Sequence, residues 1–237
     1  MIATCAGNSD LNPEWKTVTV KSEHTYNKIT ERERLASRLG LIAKSSAWSS
    51  LGIVAGLDLF SGQLDPAADM VSEYALGGYA GLTYVVFTLI ASAAFFIACA
   101  FAVSLPHTRA RTMGVSCLLV VALGVGLLPF FPTDPDIPTT SNGILHASSA
   151  LTAMAAFMTG VALLSRVDHV RRLSSLARTG LACSAAMALS FALMLTNLSP
   201  GLAERVLIAA GLIWVIVVSS IFPRKVGALD AVHERGD

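Results

Sequence analysis

Residues 79–103 read YAGLTYVVFTLIASAAFFIACAFAV, a stretch without one charged side chain. A helix needs about 20 apolar residues to cross the ~30 Å hydrocarbon core of a bilayer. The run is also too long, and too continuously apolar, for a half-buried strand. Apolar blocks of similar length recur on both sides of it, at 39–60, 113–131, 144–165, 179–197 and 203–222. The block at 39–60 is the weakest, because Lys44, Trp48 and neighbouring serines interrupt it and Asp58 lies near its far end. The expected fold is therefore all-α: a polytopic membrane protein with six transmembrane helices. Composition agrees, with 54% hydrophobic and 14% charged residues and a mean hydropathy of +0.63, where soluble domains carry about 25% charged residues. A net charge of +1 offers no basic patch for nucleic acid, so no nucleic-acid partner is expected.

Lys and Arg set the expected orientation. Lys16, Lys21, Lys28, Arg32, Arg34 and Arg38 precede the first block. Arg109 and Arg111 follow the second, Arg166, Arg171, Arg172 and Arg178 the fourth, and Arg224, Lys225 and Arg235 the sixth. The three alternate connections hold a single basic residue, Arg205. The positive-inside rule then puts both termini in the cytoplasm and the chain in the cytoplasmic (inner) membrane. Residues 1–38 form a polar cytoplasmic arm with no apolar h-region, so a cleavable signal peptide is not expected. Within that arm ITERERLASRLG, 29–40, reads as a short helix leading into the first span. Residues 39–222 form the membrane domain and 223–237 a cytoplasmic tail. Cys5, Cys99, Cys117 and Cys183 do not lie on the outer side, where an oxidising compartment would pair them. The spans are rich in Ala, Gly and Ser, which let membrane helices approach closely, and Gly52 with Gly56 would suit a homodimer seam.

The outer face, by contrast, collects carboxylates: Asp58, Asp65, Asp69, Glu73, Asp134, Asp136 and Glu204, with His146 and Arg205 beside them. In LDPAADMVSEYALGG, 64–78, Asp65 and Pro66 read as the cap and first residue of a short amphipathic helix that stops at Gly77 or Gly78. On that helix Asp65, Asp69 and Glu73 would stack at i, i+4 and i+8, repelling by ~0.2–0.5 kcal/mol per pair. In FFPTDPDIPTTSNGILH, 130–146, the prolines enforce a turn, 139–142 offer N-caps, and His146 falls in the first turns of the fourth span. In TNLSPGLAER, 196–205, Ser199 and Pro200 begin the sixth span. Glu204 and Arg205 follow, pointing about 100° apart. An Arg at membrane depth needs a partner, and the acidic helix is the expected one.

SEYALGGYAGL, FPTDP followed by GILH, and GLAERVLIAAGLIW resemble a bacterial six-span membrane family. It is catalogued as a domain of unknown function, number nine-nine-eight (DUF998). The resemblance covers roughly 39–222, implies the six-span fold, and marks Asp65, Ser72, Glu73, Asp134, His146 and Arg205.

The function expected from these residues is a membrane-embedded enzyme with an acidic pocket at the outer face, acting on a small amphipathic, lipid-like or natural-product substrate. Glu73, Asp134 and His146 are the catalytic candidates, as proton donors and acceptors. Arg205, Asp65, Ser72 and Asp69 are the substrate-binding candidates, with Arg205 meeting an anionic group. Acid-initiated chemistry such as isoprenoid cyclisation, lipid modification or nitrite-dependent nitrosation or diazotisation fits a carboxyl-rich pocket. No cofactor is required, although oxygen ligands of this kind suit Mg²⁺ or Ca²⁺. A His-based zinc centre is excluded, since one His lies on the outer side and such a centre needs two or three. The alternatives are a small proton-coupled carrier and a non-catalytic accessory subunit.

Overall fold

A computed structural model describes residues 13–62, 64–134, 140–167, 174–196, 199–220 and 222, with the side chains of 13–30 and 174–176 outside the description. Asp136, the C-terminal tail and the loop arginines Arg171 and Arg172 lie outside the described residues. The described chain is helical throughout: α1 (Pro13–Phe60), α2 (Ala80–Ser104), α3 (Arg109–Leu127), α4 (Ser141–Ser165), α5 (Ser174–Leu195) and α6 (Pro200–Ser219). Short 3₁₀ helices occupy Val71–Leu76 and Leu128–Phe130.

The helices α2 to α6 are long and apolar enough to cross a membrane, so the protein is a multi-pass membrane protein. Five helices meet that standard among the described residues, one fewer than the six expected. The missing one is α1, whose C-terminal half carries Lys44, Ser45, Ser46, Ser49, Ser50 and Asp58. The expected short helix before it is also absent as a separate element. Pro13 opens α1 and no proline follows until Pro66, so one helix of 48 residues runs without a break over about 72 Å at 1.5 Å per residue.

The helices form a closed ring in chain order, each packing on the next and α6 returning to α1. Neighbours run antiparallel: Gly114 meets Leu164 near one end of the α3–α4 pair, and Gly124 meets Ser149 and Ala153 further along. The absence of a side chain at Gly114, Gly124 and Gly160 lets these two backbones approach closely. Gly52 and Gly56, in contrast, have none of the described residues within van der Waals reach of a Cβ. Across the ring α2 touches α6, with Trp214 stacked on Phe101 at 6.0 Å and met edge-on by Phe157 at 6.1 Å.

The ring has two chemically distinct ends. At one, Arg111 reaches back to the α2 C-terminus, donating to the Ala102 carbonyl and meeting His107 Nδ1 at 2.9 Å. A cation there complements the partial negative charge of the helix end. At the other lie the C-termini of α1, α3 and α5 and the N-termini of α2, α4 and α6, together with Asp58, Glu73, Asp134 and Glu204.

At this acidic end α6 starts as its sequence suggests, with Pro200 in the first position, but Ser199 does not cap it. Ser199 adopts φ 52° and ψ 62°, a left-handed conformation that costs a residue with a side chain about 1–2 kcal/mol. Ser199→Gly is expected to raise the melting temperature in detergent by about 2–4 °C, the change that ~1 kcal/mol produces in a chain of this size. A lower melting temperature would show that the serine side chain contributes more than its backbone costs.

Candidate active site at the acidic end

The segment 65–76 decides how the acidic end is built. It is not the continuous amphipathic helix expected. The Asp65 carbonyl accepts from Ala68 N and Asp69 N, Asp65 Oδ1 accepts from Ala67 N at 2.9 Å, and Asp69 Oδ2 accepts from Asp65 N at 2.7 Å. Both carboxylates therefore serve their own tight turn, an arrangement that competes successfully with helix. The 3₁₀ helix at Val71–Leu76 follows. Its start separates Glu73 from the other two, and the predicted column of three negative charges does not form.

This turn sits on the first turn of α6. Leu202 N donates to the Ala67 carbonyl at 3.3 Å, satisfying a helix N–H that has no partner within the helix. Gly201 makes the approach feasible, because a Cβ there would run into the backbone of Asp69. One turn further along, Glu204 Oε2 accepts from Val71 N at 2.5 Å, tying the 3₁₀ helix to α6.

Arg205 leaves α6 on a different side. Its Nε–H donates to both oxygens of Asp58, at 3.0 and 2.9 Å, and its Nη2 pairs with Asp58 Oδ1 at 2.8 Å. Nη1 donates to the carbonyls of Asp69 and Gly201. Tyr74 Oη adds a bond to Asp58 at 3.0 Å. The partner of Arg205 is thus a carboxylate of α1, with a backbone carbonyl from the turn, in place of the expected acidic helix. Four elements meet in this clamp.

Inside the ring, next to the clamp, lies a cavity of about 290 Å³, near the lower size of small-molecule sites. Ser72, Glu73, Asp134, His146 and Glu204 form its polar end, and Ile90, Val121, Met154, Phe157 and Leu212 are among its apolar walls. Contributions come from α2 to α6 and the 3₁₀ helix, and from no described residue of α1. All three predicted catalytic residues, Glu73, Asp134 and His146, line it together with Ser72. Asp65, Asp69 and Arg205 are not among the lining residues.

The polar groups differ in what they are free to do. His146 is 6% exposed. Its Nδ1 lies 2.8 Å from the Phe131 carbonyl, an acceptor only, so Nδ1 carries the hydrogen. Nε2 is then the acceptor nitrogen in the neutral ring, and it has no protein partner among the described residues. Phe87 meets the ring edge-on at 6.1 Å. Asp134 is committed to local structure: its Oδ2 accepts from Thr140 N and its Oδ1 from Thr140 Oγ1, both at 2.8 Å. Thr140 Oγ1 in turn accepts from Gly143 N at 3.0 Å, capping α4. Gly143 has to be glycine, since a Cβ there would overlap the Asp134 carboxylate. Asp134 thereby holds the start of the helix that carries His146.

Glu204 is the lining residue that sequence reasoning left without a role. It is 6% exposed, in the second turn of α6. The 100° between Glu204 and Arg205 was the available signal: with one side chain bound outward to α1, the other turns into the ring. Among the described residues no group of three or more His, Cys, Asp or Glu is arranged to hold a metal ion. Asp65 and Asp69 serve their own turn and do not line the cavity.

The family model described as protein of unknown function (DUF998) matches residues 45–221, and the chain belongs to that family. No curated protein and no solved structure matches it.

Proposed function

We propose that this member of DUF998 is a membrane-embedded enzyme that applies carboxyl and imidazole acid–base chemistry to a small amphipathic substrate at the outer face of the cytoplasmic membrane. One observation carries the reading: Glu73, His146 and Glu204, from three separate elements, share the polar end of a single cavity that is otherwise largely apolar. His146 Nε2 accepts a proton from the substrate, and the Glu73 and Glu204 carboxyls return one or balance the charge that develops. Asp134 is a positioning residue, acting through Thr140 and α4. The apolar walls exclude water and strengthen every electrostatic contact at the polar end. They also count against a proton-coupled carrier, which needs polar groups along its whole route.

The topology belonging to this reading has six spans, with residues 39–60 of α1 as the first and both termini cytoplasmic. In its support, α1 packs along α2 and α6, both long and apolar enough to span. The concentration of arginines at the opposite end of the ring agrees with the positive-inside rule.

The test is chemical. A deletion strain and its parent are compared by lipid and metabolite analysis, then complemented with wild type, Glu73→Gln or His146→Asn at matched membrane levels. Wild type is expected to restore the parental profile while both variants leave the unconverted compound accumulating. Full restoration by both variants would remove the acid–base reading.

A further inference from the structure

Two side chains at the polar end of the cavity are buried and keep a polar atom without a protein partner among the described residues. They are His146 and Ser72, each 6% exposed and both lining the space. With Nδ1 bonded to the Phe131 carbonyl, the neutral imidazole offers Nε2 as an acceptor. The Ser72 hydroxyl, a donor as well as an acceptor, makes no hydrogen bond to the described chain. A buried polar group left in this state costs about 1–3 kcal/mol, so each calls for a ligand atom. The neighbouring carboxylates make no such demand. Glu204 Oε2 accepts from Val71 N, Asp134 accepts from Thr140 with both oxygens, and Glu73 has an interaction of its own. Their charge nevertheless repels an anionic headgroup from the same corner. Beyond it the cavity runs between Ile90 of α2, Val121 of α3, Phe157 of α4 and Leu212 of α6, which offer hydrocarbon alone. Water would satisfy the two polar atoms and gain nothing from that wall. A hydroxyl on a hydrocarbon chain satisfies both.

We infer that the cavity binds a lipophilic alcohol, its hydroxyl donating to His146 Nε2 and accepting from Ser72 Oγ, and its hydrocarbon chain lying along the α2–α3–α4–α6 wall. The inference rests on the acid–base reading of the same site and names its substrate class: the hydrogen that His146 Nε2 takes is that of the hydroxyl. A hydroxyl donates and accepts through one atom, which is what the two open groups ask for together. An ether accepts from Ser72 but leaves Nε2 without a donor. An ammonium donates only, so it leaves the Ser72 hydrogen without an acceptor and finds the carboxylates already engaged. The volume of about 290 Å³ suits a single short chain better than a two-chain lipid.

The test uses the full-length protein in nanodiscs of zwitterionic lipid, titrated calorimetrically with octanol, its isomer heptyl methyl ether, octylammonium and octanoate. Ala150→Phe, which fills the cavity from α4, supplies the background of partition into the lipid. Above that background octanol is expected to bind about tenfold more tightly than the ether, which leaves Nε2 unsatisfied, and more tightly than either ion. His146→Phe is expected to close the gap between octanol and the ether. Ser72→Ala is expected to weaken both alike, by about three- to tenfold, and to keep the gap. The serine variant removes a single oxygen atom, so it decides the matter if His146→Phe does not purify as a folded protein. Equal binding of octanol and the ether, tighter binding of either ion, a gap that survives in His146→Phe, or undiminished octanol binding in Ser72→Ala overturns the inference. Octanol selectivity combined with a deletion strain chemically identical to its parent would retain the ligand and remove the enzyme. Failure of His146→Asn to complement that strain, without octanol selectivity, would retain the acid–base reading and overturn the alcohol.

Discussion

Asp58→Ala is expected to destabilise the protein by about 1–3 kcal/mol, more than the loss of an exposed ion pair and less than that of a fully buried one. Exposed pairs contribute about 0–1 kcal/mol, so burial decides the matter. The Arg205 side chain is 10% exposed and that of Asp58 21%. Removing Asp58 leaves the guanidinium hydrogen-bonded to two backbone carbonyls alone, and it also strands the Tyr74 hydroxyl. The clamp joins α1, α6, the 65–69 turn and the 3₁₀ helix, so the loss reaches all four. Equilibrium unfolding of wild type, Asp58→Ala, Arg205→Met and the double variant would measure it. The double variant is expected to be more stable than Asp58→Ala alone, since no uncompensated charge remains. A loss below about 1 kcal/mol in Asp58→Ala would mean that solvent screens the pair as it does at a surface.

Glu204 separates two roles through two substitutions. Glu204→Gln keeps an oxygen to accept the Val71 N–H and so is expected to fold with near wild-type stability. It removes the ionisable group, and a loss of about 10²-fold or more in turnover is expected from losing a general acid or base. Glu204→Leu removes the acceptor as well. The Val71 N–H is then buried without a partner, which costs about 1–3 kcal/mol in addition. Complementation of the deletion strain reads the first effect and unfolding in detergent the second. Wild-type restoration by Glu204→Gln would reduce Glu204 to a fastener for the 3₁₀ helix. Equal stability of the two variants would show that the Val71 N–H finds another acceptor.

The comparison of sequence with structure divides along a physical line. Blocks of apolar residues, N-caps and proline starts are local, and the helices follow them closely: α4 begins beside Thr140 and α6 at Pro200, as their sequences suggest. The segment 65–76 misled because Asp-Pro suits both a helix start and a tight turn. Here the Asp65 and Asp69 side chains bond to the turn's own N–H groups in preference to a helical ladder. The partner of Arg205 was illegible for a different reason. Asp58 is 147 residues away in the chain, and only the return of α6 to α1 brings them together. Glu204 was visible as one of two adjacent charged residues, but which of the two turned inward depended on that same closure. The grouping of Glu73, Asp134 and His146 at one end followed from counting spans, whereas their enclosure in one cavity required α2 and α6 to touch across the ring.

The return of α6 to α1 also makes chain order around the ring a matter of where the polypeptide is opened. Gly40, well inside α1, lies against Phe222, just beyond α6, so the ring closes at this level. A circular permutant that joins the termini and starts elsewhere would keep every helix between the same two companions. Stability in such an architecture resides in the interfaces between adjacent staves, as in a barrel, and owes little to which pair happens to be the seam.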